Sequence, residues 1–362
     1  MMGAQLMDIA DLSAMLAGRI ENLCMHLLPN GVRDGHEWRI GSLAGEAGRS
    51  MAVRIRGATA GVWKDFASGE AGDALDLVAG VLFHDDKAEA VKWARSWLGV
   101  DQLDPARLAQ KRREVRAEAD RKEKEARDQA DKMLSSARRL WHMAQPEILK
   151  TPVYHYLLLR GIDINALPRV PGALRYEPQC WCAETQTKLP AMVAAIQNGA
   201  GKQIATHRTY LQRQHDGTWK KASLVEAKKT LAAFRGGFIA LNRGESGRPL
   251  RDAPDGDHVY LAEGIETALS LAVELPEKRV LAGVSCGNFQ NLELPEQIRD
   301  VTIAADNDGE NAQTLKALDN AITRFVREGR RVRVIRSPIG KDFNDLLQWQ
   351  KRALIENARK MS

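Results

Sequence analysis

Cysteine is scarce and poorly placed for metal, four residues in a chain of 362. Cys180 and Cys182 have one residue between them, too close for the Cys-x2-Cys spacing of a zinc knuckle, and Cys24 and Cys286 have no neighbouring cysteine. That usage fits a reducing cytoplasm and argues against a structural zinc. No run of eighteen apolar residues exists, which excludes a membrane-spanning helix and a membrane partner. The first ten residues contain Asp8 and no basic residue, unlike a secretory signal. The chain also lacks a Gly-x4-Gly-Lys-Ser/Thr stretch, so it carries no P-loop ATPase or helicase motor.

What is present is a folded chain, 44% hydrophobic, long enough for two or three domains. Its net charge is +6, unevenly placed. Between Gly201 and Arg251 eleven Lys and Arg face three acids (Asp216, Glu226 and Glu245), an excess of +8. A concentrated basic block of this kind is the footprint of phosphate-backbone binding, although a solvated basic face would look the same.

Four segments emerge along the chain. Residues 1–100 open with apolar residues at helical spacing, from Ile9 and Leu12 to Leu27, and continue as a small α+β unit. Three strands are expected there, over 36–40, 50–55 and 61–66, then a Gly-rich turn and a helix over 69–78, and a helix over Lys87–Leu98. Residues 101–145 are dominated by Ala and mixed charges, and read as a long exposed helix supported by i,i+4 pairs. Residues 146–255 contain an apolar strand over 189–196, its hairpin partner over 201–211, a turn at Asp216-Gly217 and a returning strand over 236–241. From 256 to 362 the period changes. Strands at 259–263, 279–284, 300–306 and 331–337 alternate with helices near 265–275, 310–327 and 343–357, which implies a parallel sheet covered by helices.

Two of those strands end on carboxylates. Val259-Tyr-Leu-Ala-Glu263 closes on Glu263 and Gly264, and Val301-Thr-Ile-Ala-Ala305 closes on Asp306, Asn307, Asp308 and Gly309. In a parallel α/β sheet the strand ends on one edge converge, and functional groups collect there. Three carboxylates at one edge repel one another unless a cation sits among them, and hard oxygen ligands suit Mg²⁺. The plainer alternatives are a solvated Glu263 and turn-forming Asp306 and Asp308. An EF-hand is excluded, because its obligatory glycine position holds Asn311.

Glu-Gly after one strand and Asp-x-Asp-Gly after a later one resemble the Toprim domain, shared by bacterial primases, topoisomerases and several nucleases. Glu263-Gly-Ile-Glu-Thr-Ala-Leu-Ser-Leu271 and Gly340-Lys-Asp-Phe-Asn-Asp-Leu-Leu347 are similar to its plasmid and phage primase subgroup. Tyr156-Leu-Leu-Leu-Arg-Gly-Ile162, Thr206-His-Arg-Thr-Tyr-Leu211, Lys228-Lys-Thr-Leu231 and Gly236-Gly237 resemble the preceding basic half of such a core. Trp63, Phe66, Gly72, Asp73 and Leu77 keep the frame of a primase zinc ribbon without its cysteines, so a degenerate, zinc-free ribbon is expected.

The resemblance implies an α/β fold: a Toprim-type parallel sheet flanked by helices, preceded by a mixed α+β basic subdomain and a small N-terminal α+β unit. It implies Glu263, Asp306 and Asp308 as catalytic metal ligands for Mg²⁺ or Mn²⁺, with Glu263 also able to act as general base. Asp342 and Asp345 would be outer or second-metal ligands, though they also fit a helix N-cap and its N3 residue. His207, Arg208, Lys228, Lys229 and Lys341 would hold phosphates of nucleic acid or nucleotide. The expected activity is synthesis of short RNA primers on single-stranded DNA from nucleoside triphosphates, alongside a separate helicase or other replication or defence protein. The alternatives are a Toprim nuclease and a non-catalytic binding module. A topoisomerase is disfavoured, since it would need a nucleophilic tyrosine in a separate domain and only five tyrosines exist.

Overall fold

The computed structural model describes residues 8–57, 59–102, 105–307, 309 and 311–361. The chain divides into two compact units, Met1–Gln129 and Ala130–Ser362.

In the first unit, α1 (Ile9–Ala17) and α2 (Ile20–Leu27) take up the expected helical pattern, broken after Ala17 where Gly18 ends α1. A five-stranded antiparallel meander follows: β1 (Val32–Asp34), β2 (Glu37–Ile40), β3 (Met51–Arg54), β4 (Trp63–Asp65) and β5 (Ala71–Gly72). One face buries Trp38, Ile40, Met51, Val53 and Trp63 against Leu12, Leu16, Leu23, Leu75 and Val78. Strand pleating sends alternate side chains to opposite faces, which is why these positions alternate in β2 and β4. Asp73 starts α3 (Ala74–Leu82) with a capping box completed by Asp76. A Cβ on Gly72 would meet the Asp76 side chain at 2.6 Å, so the turn before α3 requires glycine. Next come α4 (Lys87–Leu98) and α5 (Pro105–Met143). The latter passes through the boundary between the units and carries the expected exposed pairs, such as Lys122–Glu118 at 2.9 Å.

The second unit contains α6 (Pro152–Leu159) and an antiparallel sheet of β6 (Leu174–Cys182), β7 (Thr187–Gln197), β8 (Gln203–Arg213), β9 (Trp219–Lys221) and β10 (Lys228–Leu231). The order is β10-β8-β7-β6, with β9 beside β8. The hairpin and the Asp216-Gly217 turn fall where the sequence puts them. Strands β6 and β10 are not anticipated by pattern. A register shift between Glu177 and Cys180 breaks the alternation of β6, and β10 is four half-buried residues of mixed character.

A second sheet holds β11 (Ile239–Arg243), β12 (Asp257–Ala262), β13 (Arg279–Ala282), β14 (Ile298–Ala305) and β15 (Arg331–Arg336), in the order β11-β13-β12-β14-β15. Strands β12 to β15 are parallel and β11 is antiparallel. The helices are α7 (Ile265–Glu274), α8 (Ala312–Arg327) and α9 (Phe343–Met361). Ala262, Val280, Ala282 and Ala304 pack in one core with α7, while Val259, Leu261, Leu281, Val301 and Ile303 pack in another with Leu318, Ala321 and Phe325 of α8. Burial on both faces explains why these strands read as unbroken apolar runs. The strand expected to return over 236–241 begins at Ile239 and joins this sheet rather than the preceding one, because Ile239 and Leu241 bury into its core. Among the described residues no helix is long and apolar enough to cross a membrane.

Cys24, the only cysteine of the first unit, is fully buried among aliphatic side chains, and burial pushes its thiol up to about 12. A thiol held protonated is a poor zinc ligand. Elemental analysis of purified protein should therefore find no stoichiometric zinc, and a chelator should leave its thermal melt unchanged. One tightly held zinc per chain would contradict the degenerate-ribbon reading.

Candidate functional site

The parallel register fixes the carboxylate edge. Ala262 of β12 pairs with Ala304 of β14, so Glu263 follows one strand end and Asp306 lies just past the neighbouring one. Both line one cleft, together with Ala305, Gly309, Thr314, Leu315 and Arg336. The Arg336 guanidinium donates to the Asp306 carbonyl at 2.7 Å. Asn307 ties this loop to the next strand end. Its amide N–H donates to the Lys341 carbonyl at 2.7 Å, and its side-chain Nδ2 donates to the Ser337 and Gly340 carbonyls at 2.9 and 3.0 Å. Asp308 lies outside the described residues.

Asp342 and Asp345 take the alternative the sequence left open. Asp342 Oδ1 accepts from the Asn344 and Asp345 amides at 2.8 and 3.1 Å, capping α9. Asp345 Oδ2 accepts from the Lys341 amide at 2.8 Å. Neither carboxylate lines the cleft. A Cβ on Gly340, whose φ is +70°, would meet Asp345 Cβ at 2.5 Å, so glycine there lets the capping turn close. The Lys341 side chain is exposed.

The basic residues sort onto two faces of their sheet. Lys228 pairs across from Thr209, and Thr230 across from His207, so these four share a face. Lys229 and Arg208 are on the other, where Lys229 approaches Glu184 at 3.5 Å and Arg208 donates to the Tyr210 hydroxyl at 3.1 Å. The first face meets α7 at Glu266, a carboxylate only 3% exposed. Lys221 Nζ approaches Glu266 Oε1 at 3.0 Å and Lys228 Nζ approaches Oε2 at 3.1 Å, while the Tyr156 hydroxyl donates to Oε1 at 2.6 Å. A Cβ on Gly264 would lie 3.6 Å from Lys228 Nζ, so this ammonium stands beside the turn that carries Glu263.

The charge states follow. Burial alone would raise the Glu266 pKa, but Lys228, Lys221 and the Tyr156 hydrogen bond outweigh it and hold the carboxyl well below its usual range. Burial pulls Lys228 down, but Glu266 and Glu263 bring it above its usual value. For Lys221 burial outweighs Glu266 and the value falls. His207 is buried, and desolvation followed by the charge of Lys228 lowers it to about 4. His207, which the resemblance assigns to phosphate binding, is thus buried on this face, and its lowered value favours the neutral imidazole. Glu266, Lys221 and Tyr156 carried no assigned role in the sequence. The available signal was an acid set in the otherwise apolar start of α7.

Residues 258–353 match the Toprim domain family, and residues 131–241 match a domain of unknown function, DUF7146. Strands β12, from His258 on, to β15, with α7 and α8, fall within the Toprim match. No curated protein sequence matches the chain. Among solved structures, the zinc-binding and RNA polymerase domains of the Aquifex aeolicus primase align at 17% identity and a TM-score of 0.39, over 95% of this chain and 85% of that one. A DNA primase domain from Pseudomonas aeruginosa aligns at 15% identity and a TM-score of 0.40, over 60% and 75%. The primase fragment of the bacteriophage T7 primase-helicase aligns at 17% and 0.35, over 56% and 72%.

Toprim proteins imply a divalent cation, and the donor set of this Toprim edge fits one. Glu263 and Asp306 offer hard carboxylate oxygens to one cleft, leaving the rest of a six-oxygen shell to water and substrate phosphates, as Mg²⁺ prefers. Among the described residues no group of three or more His, Cys, Asp or Glu forms a metal cluster.

The buried charges set an acid limit on the fold. Between pH 6.5 and about 4 the unfolded chain binds a proton at His207 that the folded chain refuses, so the His207 contribution to stability rises with pH across that window and is constant above it. Glu266 acts in the same direction at lower pH. Its contribution is present above its ordinary value of 4.5 and is lost as pH falls below it. Denaturant titrations should show His207→Asn removing roughly 2–3 kcal/mol of the stability difference between pH 7 and pH 4. An unchanged acid slope in that variant would place the responsible group elsewhere.

Proposed function

We propose that the protein is a primase-like nucleotidyltransferase that joins ribonucleotides into short primers on single-stranded DNA, with Mg²⁺ or Mn²⁺. The observation that carries this reading is the meeting of two unlike surfaces at one turn. The Toprim carboxylates Glu263 and Asp306 share a cleft, and Lys228 of the basic sheet stands beside Gly264, the residue after Glu263. Carboxylates suited to a metal next to an anchored ammonium suit a reaction at a phosphate.

Glu263 and Asp306 would hold the cation, and the sequence adds Asp308 as a third ligand. A bound divalent ion supplies charge stabilisation to the attacking and leaving oxygens of the displacement. Lys228 would bind phosphate beside the Glu263 turn, and Lys229, Arg208 and Lys341 would contribute charge for template, primer or nucleotide. Asp342 and Asp345 brace Lys341 through the start of α9. The partners in this reading are single-stranded DNA, nucleoside triphosphates and a separate helicase or other replication or defence protein, in the cytoplasm.

Incubation with single-stranded DNA, labelled ribonucleoside triphosphates and Mg²⁺ or Mn²⁺ should give template-dependent products on a denaturing gel. Asp306→Asn and Asp308→Ala should each abolish them. Asp306→Asn should leave the melting temperature nearly unchanged, since it relieves carboxylate repulsion. Metal-dependent cleavage without incorporation, lost in the same variants, would replace the polymerase with a nuclease. Tight DNA binding with neither activity would leave a non-catalytic module.

The binding surface has its own test. Lys228→Ala with Lys229→Ala should weaken DNA binding to a similar degree across sequences and flatten the salt slope by about one to two. An unaltered slope would move the phosphate contacts to another surface.

A further inference from the structure

The cluster at Glu266 sets two lysines against one carboxylate. Two ammonium groups approach one carboxylate, Lys221 at 3.0 Å and Lys228 at 3.1 Å, on opposite oxygens. Lys221, Lys228 and Glu266 together carry a charge of +1, offset in part by Glu263, the second carboxylate that acts on Lys228. Each lysine side chain is still about a third exposed, 35% for Lys221 and 40% for Lys228, so an anion in solvent can reach both.

Strand pairing puts the same polar chemistry on one face. Lys221 pairs across from Leu211 and Lys228 across from Thr209, and His207, Thr209 and Leu211 alternate onto one side of β8. On that face His207 Nδ1 and Thr209 Oγ1 are buried without hydrogen-bond partners, in residues 6% and 0% exposed. Buried polar atoms are rarely left unpaired, and those that are mark a bound water, an ion or a functional site.

We propose that Lys221 and Lys228, held in place by Glu266, form a two-lysine phosphate site beside the Glu263 turn, with Lys221 as a phosphate-binding residue and Glu266 as the positioning residue. The ligand chemistry is a phosphate group, from a nucleoside triphosphate or from a nucleic-acid backbone. This assignment rests on reading the cleft as a phosphoryl-transfer centre. It predicts something separate from turnover, namely metal-free phosphate binding that depends on Lys221.

The test is calorimetric titration of the full chain with tripolyphosphate, ATP and a short single-stranded DNA, without divalent metal. Lys221→Gln keeps a hydrogen-bond donor toward Glu266 and removes the charge. It should weaken the preferred phosphate probe about tenfold or more, the scale of one charge-assisted hydrogen bond. Lys221→Arg should stay within about threefold of the parent. A loss confined to tripolyphosphate and ATP assigns the site to the nucleotide, and a loss confined to DNA assigns it to the backbone. In the unaltered protein the same probe should slow acetylation of Lys221, read by mass spectrometry, so the result does not hang on a variant that fails to fold.

If Lys221 merely neutralises Glu266, Lys221→Gln will melt at a lower temperature while binding every probe as the parent does, and the proposal fails. No binding of any probe by the parent overturns it as well. Lys221-dependent binding in a protein that makes no primers would preserve the phosphate site and reject the nucleotidyltransferase reading.

Discussion

Glu266 is the interaction on which the second unit depends. A carboxylate 3% exposed could not stay ionised alone, and its partners come from three directions: Tyr156 on α6, Lys221 on β9 and Lys228 on β10. These elements belong to the antiparallel sheet and its helix, whereas Glu266 belongs to the helix of the Toprim sheet. The ion pairs thus fasten one sheet to the other. Replacing the network by apolar residues could cost little stability, but removing Glu266 alone leaves two lysines without their shared carboxylate and destabilises the join. Its value is therefore geometric: it fixes where the basic sheet meets the turn that carries Glu263.

The carboxylate edge arises from a second constraint, the parallel register. Once Ala262 is level with Ala304, Glu263 and Asp306 must share an edge, and Asn307 binds the adjoining strand end through Lys341, Ser337 and Gly340. The Asp342 cap then orients α9, and Asn344, fully buried, bonds the Arg160 carbonyl and the Ser270 hydroxyl. Apolar burial on both faces of the sheet holds the register, so the position of the acids follows from aliphatic packing rather than from the acids themselves.

Much of this was legible in the sequence because strand ends are sharp there. Val259 to Ala262 and Val301 to Ala305 are apolar runs that stop at a carboxylate, and α4 was bounded correctly because Asp86 caps it and Gly99 ends it. The α/β class and the Toprim resemblance followed from that punctuation. Less legible was anything set by pairing across distance. The strand at Ile239 joins the later sheet because of where its side chains bury, and β6 hides behind a bulge. The charge block over 201–251 reads in sequence as one basic segment, and strand alternation divides it between two faces. Lys228 turns inward to Glu266, Lys229 turns toward Glu184, and His207 becomes a neutral interior group. Composition counts charge but does not say which side of a sheet holds it.

The central claim is that the Toprim edge is a divalent-metal site completed by substrate phosphate. Electron paramagnetic resonance of Mn²⁺ titrated into the full chain, with the metal as the only added ligand, tests it directly. The account predicts loss of the free Mn²⁺ signal with saturable binding in the parent protein and its return in Asp306→Asn and Glu263→Gln, with both variants folded. Equal Mn²⁺ binding by the parent and these two variants would contradict it.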